Sequence, residues 1–410
     1  MAVGVTHFPS ISAVRTATIV LAASDSPHAN QADYTCTGTD DQDTMMAIIA
    51  LLPSQGGIIK LLSGRYSISD EVNVQRDNVF MLGEGWGTVL YVADGSNCTV
   101  VHVGTGAIRV DGFKLAHLKV DGNAANQGTY AQGGVWLHGT ALVTTYSALV
   151  DDVWIYDFFG TGLFLDIGHY DVVRNCVIEG CHRHGIYGCS TTQALITGNT
   201  IKNNAQTNPL DSGIYLHSAL RVKIEGNSIV DDQSVPTQNY GIDINHSSDT
   251  NHLIVGNVIR GNVSGPITDV GKGTVMKGNS GIRDRGSEYL QNTSGRALAL
   301  GDVVVLKAVA SGQEVDTTTA QGDDKVYGMV EETIANGDFG YIQTIGETAH
   351  LKVNGTVNIG VGDLLGTYTD AGIARQAAAG DMAFAIAREA YTGADSNGVI
   401  DAELITPRKL

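Results

Sequence analysis

The chain has 410 residues, of which 51 are glycine and 7 proline, with aromatics at 6%. That composition belongs to a turn-rich, β-rich protein long enough for two or three folding units. The balance of 25 basic to 43 acidic residues, a formal charge of −18, argues against nucleic acid and anionic membrane as partners, whereas a neutral glycan meets no such barrier.

Residues 1–31 hold isolated apolar residues with little periodicity and read as an extended arm. Their apolar patch, Thr18–Ala23, is weak for a signal peptide and far too short to span a bilayer. From Ala32 the pattern changes. Met45, Ile48, Ile49 and Leu52 fall on one helical face. Thr39 and Gln42 suggest a capping box, Asp40, Asp41 and Asp43 suit the positive end, and Pro53 stops the helix. A short amphipathic helix there would serve as a lid on the open first coil of a solenoid. Strand-like phrases follow at Gly56–Leu62, Gly64–Ile68 and Val79–Leu90. Within the last, Gly83-Glu-Gly-Trp-Gly lacks the helix that a nucleotide loop requires and reads as tight turns.

A phrase then recurs: Gly134-Val-Trp-Leu-His, Gly162-Leu-Phe-Leu-Asp, Gly185-Ile-Tyr-Gly-Cys, Gly213-Ile-Tyr-Leu-His and Gly241-Ile-Asp-Ile-Asn, with successive glycines 28, 23, 28 and 28 residues apart. Its companion runs Gly198-Asn-Thr-Ile, Gly226-Asn-Ser-Ile and Gly256-Asn-Val-Ile. A fixed phrase at that period marks a stacked repeat, and its period-two alternation, broken by Gly and Asn, calls for short strands. The fold class is therefore all-β, a parallel β-helix. Val135, Leu163, Ile186, Ile214 and Ile242 would point inward, and Asn199, Asn227, Asn257 and Asn279 would form an amide ladder. Five cysteines, an odd number without zinc-type spacing, are expected as reduced thiols, with Cys176 filling a place in the asparagine column. Beyond residue 286, seven short strands separated by Gly-Asp and Asn-Gly turns suggest a compact β-barrel or sandwich without a catalytic constellation.

The ordered series of Gly38-Thr-Asp-Asp turn, helix, Pro53, Gly56-Gly, strand, Gly64-Arg-Tyr, strand and Leu82-Gly-Glu-Gly resembles the opening of the pectate-lyase-like right-handed β-helix superfamily. It looks in particular like the versions carried by bacteriophage tail spikes and related virion proteins. The resemblance covers about 32–285 and implies a right-handed solenoid. It does not imply an activity, because lyases, hydrolases, epimerases and non-catalytic adhesins share the fold. The C-terminal pattern resembles small β-domains of phage capsid-decorating proteins and fibre ends. The expected organisation is an arm over 1–31, a helix-capped β-helix over 32–286, and a β-domain for attachment or oligomerisation over 287–410.

With Val135 and its column inward, Trp136, Phe164, Tyr187, Tyr215 and Asp243 point outward as one stripe, flanked by His138, Asp166, Cys189, His217 and Asn245. A contiguous exposed aromatic stripe calls for a partner. Two remain open: a glycan stacked on the rings, or the subunit interface of the homotrimer that the resemblance implies. Asp166 and Asp243, three coils or roughly 14 Å apart, are too distant for the paired carboxylates of a glycosidase. The coil alignment places Arg183 beside Asp211, near His182 and His184 and one strand before His217. Arg183, Asp211 and His217 are thus the candidate catalytic set for a polysaccharide lyase, the alternative being an inter-coil salt bridge with surface histidines. Glu179 opposite Lys202 reads as a solvated ion pair. No cofactor is expected. No metal is assigned either, since the clusters Asp151-Asp152, Asp157 and Asp231-Asp232 lack calcium-loop spacing.

The expectation is a bacteriophage virion structural protein, a tail spike or capsid-decorating appendage, made in the host cytoplasm and carried on the particle surface. Its partners would be its own copies in a homotrimer, other virion proteins and cell-surface polysaccharide. The alternative is a polysaccharide lyase or glycoside hydrolase on the same β-helix.

Overall fold

The computed structural model describes residues 18–105, 108–128, 133–139, 147–280, 285–307, 313–393 and 395–410. The fold is a right-handed parallel β-helix followed by antiparallel β-structure. The chain forms two compact units. One runs to Tyr215 and takes in Val230–Asn239; the other comprises Leu216–Ile229 and Tyr240–Leu410.

In the first unit the coils begin earlier than expected. Residues 1–17 of the expected arm lie outside the described residues. Thr18–Ala22, however, is a strand rather than a linker, paired in parallel with Tyr34–Thr35 and Gly57–Leu61. Its sequence hides the strand period because Leu21, Ala22 and Ala23 are all buried. The helix Asp41–Leu51 packs on the strands Gly64–Ile68 and Val72–Val74 through Met45, Ile48 and Ile49, as its apolar face requires. The capping box does not form. Asp40 at the N-cap is left-handed and makes no side-chain cap. Gln42 bonds Ser69 instead, donating to its Oγ at 3.1 Å and accepting from its N–H at 3.1 Å. Asp41 turns away from the helix to accept the Gly38 and Ser67 N–H groups at 2.9 and 2.8 Å.

Two columns of glycine have different causes. A Cβ on Gly134 would stand 2.6 Å from Ile155 Cγ2, on Gly162 2.7 Å from Ile178 Cγ2 and on Gly185 2.8 Å from Ile201 Cγ2, so these glycines admit the branched side chains behind them. The glycines of the Gly-Asn phrase answer instead to backbone shape. His117, Asp152, Asn175 and Gly198 all turn the chain with φ between 53° and 64°, where most side chains are disfavoured by ~1–2 kcal/mol. The residue after each corner points inward: Leu118, Val153, Cys176 and Asn199 are all buried. Asn199 accepts the Cys176 N–H at 2.9 Å and donates to the Val173 carbonyl at 2.9 Å. Cys176 Sγ plays the corresponding donor to the Val150 carbonyl at 3.6 Å. The thiol therefore stands in the column as a short substitute for the amide, and burial pushes it up to about 12.

The second unit continues the same corner at Gly226, Gly256 and Gly278, with φ of 62–64° and open space where a Cβ would lie. Asn227, Asn257 and Asn279 form the amide ladder, Nδ2 of each donating to Oδ1 of the next at 2.9 and 2.8 Å. Parallel pairing runs to Val275–Lys277. Residues 281–284, expected to close the repeat, lie outside the described residues. From Gly286 a nine-stranded sheet begins. Its longest strand, Phe339–Val353, exceeds the short strands expected here, and its pairing with Gly398–Lys409 shifts register between Thr348 and Leu351. Its first half packs into a core with Leu290, Val304 and Ile342, its second into another with Leu351, Phe384 and Ile400.

Candidate functional site

The strands Val72–Val74, Val101–Val103, Gly133–His138, Thr161–Asp166 and Ile186–Cys189 stack in parallel in the first unit. Their register aligns His102, Trp136, Phe164 and Tyr187 on the outward side, while Val135, Leu163 and Ile186 are fully buried beneath. Tyr215 extends the row. Ring centroids follow one another at 4.6 Å (His102 to Trp136), 5.9 Å (to Phe164), 5.6 Å (to Tyr187) and 5.2 Å (to Tyr215). The first and last pairs are stacked nearly parallel, at 3° and 6°. The row is thus the stripe expected from the sequence, lengthened by a histidine one coil earlier. Burial raises the Tyr187 hydroxyl to about 12, so it is a neutral donor. Asp243, expected as the next member, belongs to the second unit, where it is buried on the strand Tyr240–Ile244 opposite Thr268.

A polar chain runs beside the rings. Glu71 Oε2 is 2.8 Å from His102 Nδ1, His102 Nε2 is 2.9 Å from His138 Nδ1, and His138 Nε2 stands 3.9 Å from Asp166 Oδ2. The Trp136 ring lies 4.4 Å from His138, nearly parallel to it. With the Glu71 carboxylate accepting from His102 Nδ1–H, His102 Nε2 faces His138 Nδ1–H as acceptor, and His138 Nε2 is left facing Asp166. Burial lowers the His138 imidazole, and burial raises the Asp166 carboxyl against the opposing pull of His138. His138 Nε2 and the Asp166 carboxyl thus face one another at the edge of the ring row. Sequence reasoning named His138 and Asp166 as outward neighbours but missed Glu71 and His102. Both precede the first Gly134-type phrase, and the one signal was the alternation in Val101-His-Val.

Of the candidate catalytic residues, Arg183 and Asp211 lie in the first unit. Arg183 Nε donates to Asp211 Oδ2 across adjacent coils, with Nη2 3.5 Å from Oδ1. His184 Nε2 is 3.0 Å from the same Oδ1, and its Nδ1 accepts the Ser212 N–H at 3.0 Å. His184 is thus a buried neutral imidazole, lowered to about 4 by burial, and not a surface histidine. Its ring lies 4.5 Å from Tyr215, which ties the Arg183–Asp211 pair to the end of the aromatic row. His217 is in the second unit, with its ring 4.5 Å from His246. Glu179 and Lys202 pair at 2.8 Å as expected, and Glu179 also accepts Trp154 Nε1–H at 2.9 Å.

The acidic clusters are engaged by protein donors. Asp151 takes Arg174 and Asn175 at 2.7 and 2.9 Å, Asp152 takes His117 at 2.9 Å, and Asp231 takes the Thr237 and Gln238 N–H groups at 2.6 and 2.8 Å. No cluster of metal-ligating side chains occurs among the described residues.

Residues 78–231, less than half of the chain, match a family model described as "Right handed beta helix region". No curated protein matches the chain. Among solved structures, the mannuronan C-5 epimerase AlgE4 A-module of Azotobacter vinelandii is similar at 20% identity over 58% of this chain and 72% of that one, with a TM-score of 0.43. ORF18 of Geobacillus virus E2 is similar at 12% identity over 76% and 74%, with a TM-score of 0.40. The DFA-IIIase of Arthrobacter chlorophenolicus A6 is similar at 13% identity over 63% and 78%, with a TM-score of 0.44. The right-handed β-helix rests on the parallel ladders and the family match.

Proposed function

We propose that this chain is a glycan-binding structural protein whose aromatic row holds a polysaccharide. The observation that carries this reading is the row itself: five rings on successive coils, flanked by hydrogen-bonding groups from Glu71 to Asp166. Apolar faces of sugars stack on such rings while neighbouring polar groups take their hydroxyls. A subunit interface is better supplied by another outward row of the first unit. Ile58, Phe80, Lys114, Leu149, Val172 and Leu195 align coil after coil. All are half-buried, at positions where a solvated sheet would alternate to polar side chains. A repeated aliphatic ridge matches a surface of the same repeat, which another copy of the chain provides. In this reading the protein is a homotrimer on a phage particle, a tail spike or capsid-decorating appendage, with the C-terminal β-domain for attachment.

A polysaccharide-cleaving activity is the second reading, favoured by one observation: His138 Nε2 beside the raised carboxyl of Asp166. In it, His138 Nε2 takes the C5 proton of a uronate held on Trp136, the C4–oxygen bond breaks to leave a C4–C5 double bond, the departing oxygen is protonated by water, and Arg183 with Asp211 shapes the far end of the row. The roles of Arg183, Asp211 and His217 first drawn from the coil alignment stay as a separate set for mutation.

The test is binding of the whole chain to a panel of neutral and acidic polysaccharides, with Trp136→Ala and Tyr187→Ala as variants and release of reducing ends or unsaturated uronates as the second readout. Binding lost in both variants supports the glycan row. Turnover lost in His138→Gln with binding kept supports the enzyme. Binding untouched by either ring variant removes the row from the function.

A further inference from the structure

A second ring cluster lies on a different sheet of the first unit from the row above. The strands Thr88–Val92, Lys114–Asp121 and Leu149–Tyr156 align Lys119 with Trp154, and Tyr91 with Asp121 and Tyr156, all facing outward. Trp86, on the turn before the first of these strands, is 5.0 Å from Trp154, which is 5.3 Å from Tyr156. The Lys119 ammonium stands 4.2 Å from the Trp154 ring centre and 4.0 Å from that of Tyr156. The Arg65 guanidinium covers Tyr91 at 3.3 Å.

The partners on this face divide unevenly. Asp121 receives the Tyr156 hydroxyl, and Glu179 receives Trp154 Nε1–H and Lys202. Both carboxylates thus accept from neighbouring donors, whereas Lys119 makes no ion pair among the described residues and stands over two ring faces. Trp86 is 49% exposed although it is among the largest apolar side chains of the protein. On a chain of charge −18, this face sets an ammonium held over two rings beside an indole whose apolar surface is half exposed. It would be complemented by one ligand that supplies both an apolar face and a negative charge.

We infer that Trp86, Trp154, Tyr156 and Lys119 form a second saccharide site, specific for a sugar bearing a carboxylate. The exposed face of Trp86 takes the apolar face of the pyranose, and the Lys119 ammonium pairs with the uronate carboxylate. Arg65, two coils from Lys119, offers a cation for a neighbouring uronate. The site stands apart from the aromatic row and does not depend on what that row binds.

The whole chain carries three tryptophans, two of them here, so tryptophan fluorescence reports on the site directly. Oligogalacturonate, oligomannuronate and oligoglucuronate are titrated in turn, each beside its methyl ester, which keeps the ring and removes the charge. At least one acid oligomer is expected to shift the emission and to weaken as salt rises. Trp86→Ala and Lys119→Gln should each weaken that binding at least tenfold. The methyl ester should bind more weakly and be indifferent to Lys119→Gln. Circular dichroism of the two variants checks that the coils are intact, as expected for exposed side chains. The inference is overturned if none of the three acids binds, if neither variant moves the binding, or if ester and acid bind alike.

Discussion

Two outward rows of the first unit share one backbone geometry and differ in what they carry. On one sheet, His102, Trp136, Phe164, Tyr187 and Tyr215 present stacked rings with carboxylates and imidazoles alongside. On another, Ile58, Phe80, Leu149, Val172 and Leu195 present mostly branched aliphatics, with the Lys114 ammonium laid over Phe80 at 4.4 Å. Both are too apolar for a bare solvated face. Rings set among hydrogen-bonding groups suit a ligand that is polar at its rim and apolar on its face, whereas a flat aliphatic row suits a second apolar surface. A β-helix can thus separate ligand from subunit contact by giving each its own sheet.

The largest effect should come from breaking the aliphatic row. Val172→Asp with Leu195→Asp places two charges at the proposed contact, and light scattering should show the mass of the proposed trimer fall to that of one chain. Tyr187→Asp should leave the mass unchanged, and a Tyr187→Asp protein that dissociates would exchange the roles of the two rows. Next in size is Asn199→Ala, which removes what both rows rest on. It leaves the Cys176 N–H and the Val173 carbonyl unsatisfied inside the coil and should cost about 3 kcal/mol in chemical denaturation. Trp136→Ala should weaken glycan binding roughly 30-fold, the ~2 kcal/mol of a central aromatic anchor, without changing the mass.

A further effect concerns pH, at the foot of the aliphatic row. Asp171 is buried, accepts the Ala148 N–H at 3.0 Å with one oxygen, and has no partner for the other among the described residues. Burial raises its carboxyl to about 7, so the folded state holds a proton that the unfolded chain releases near pH 4. Its contribution to stability is full below about pH 4 and fades as pH rises through about 7. Asp171→Asn, neutral at every pH, should flatten that decline in a series of melting temperatures. An unchanged slope would place the carboxylate's charge elsewhere in the balance.

Much of this was legible because the β-helix repeats. The phrase Gly-Ile-Tyr set the register, so Trp136, Phe164 and Tyr187 fell opposite one another as period two required. The Asn column was legible for the same reason. Cys176 was recognisable as a member of it because a position repeated in several coils exposes its substitutes. Where the phrase is absent, reading failed: Glu71 and His102 sit on coils that lack it, and Thr18–Ala22 lacks alternation because its neighbouring residues are buried on both sides. The capping box failed for a different reason. Asp41 and Gln42 were claimed by backbone and side-chain groups of Ser67 and Ser69, some 26 residues away, and no local rule contains those partners.

The sequence by itself determined the coil, its inward columns and the faces on which aromatic side chains would stand, because strand period and repeat length are local properties of the chain. The tertiary structure decided which polar groups meet there. The Glu71–His102–His138 chain and the Lys119–Trp154–Tyr156 cluster join residues 31 to 37 positions apart. Such pairs depend on how many residues each loop spends before the next coil begins, and loop length varies from turn to turn without leaving a periodic trace.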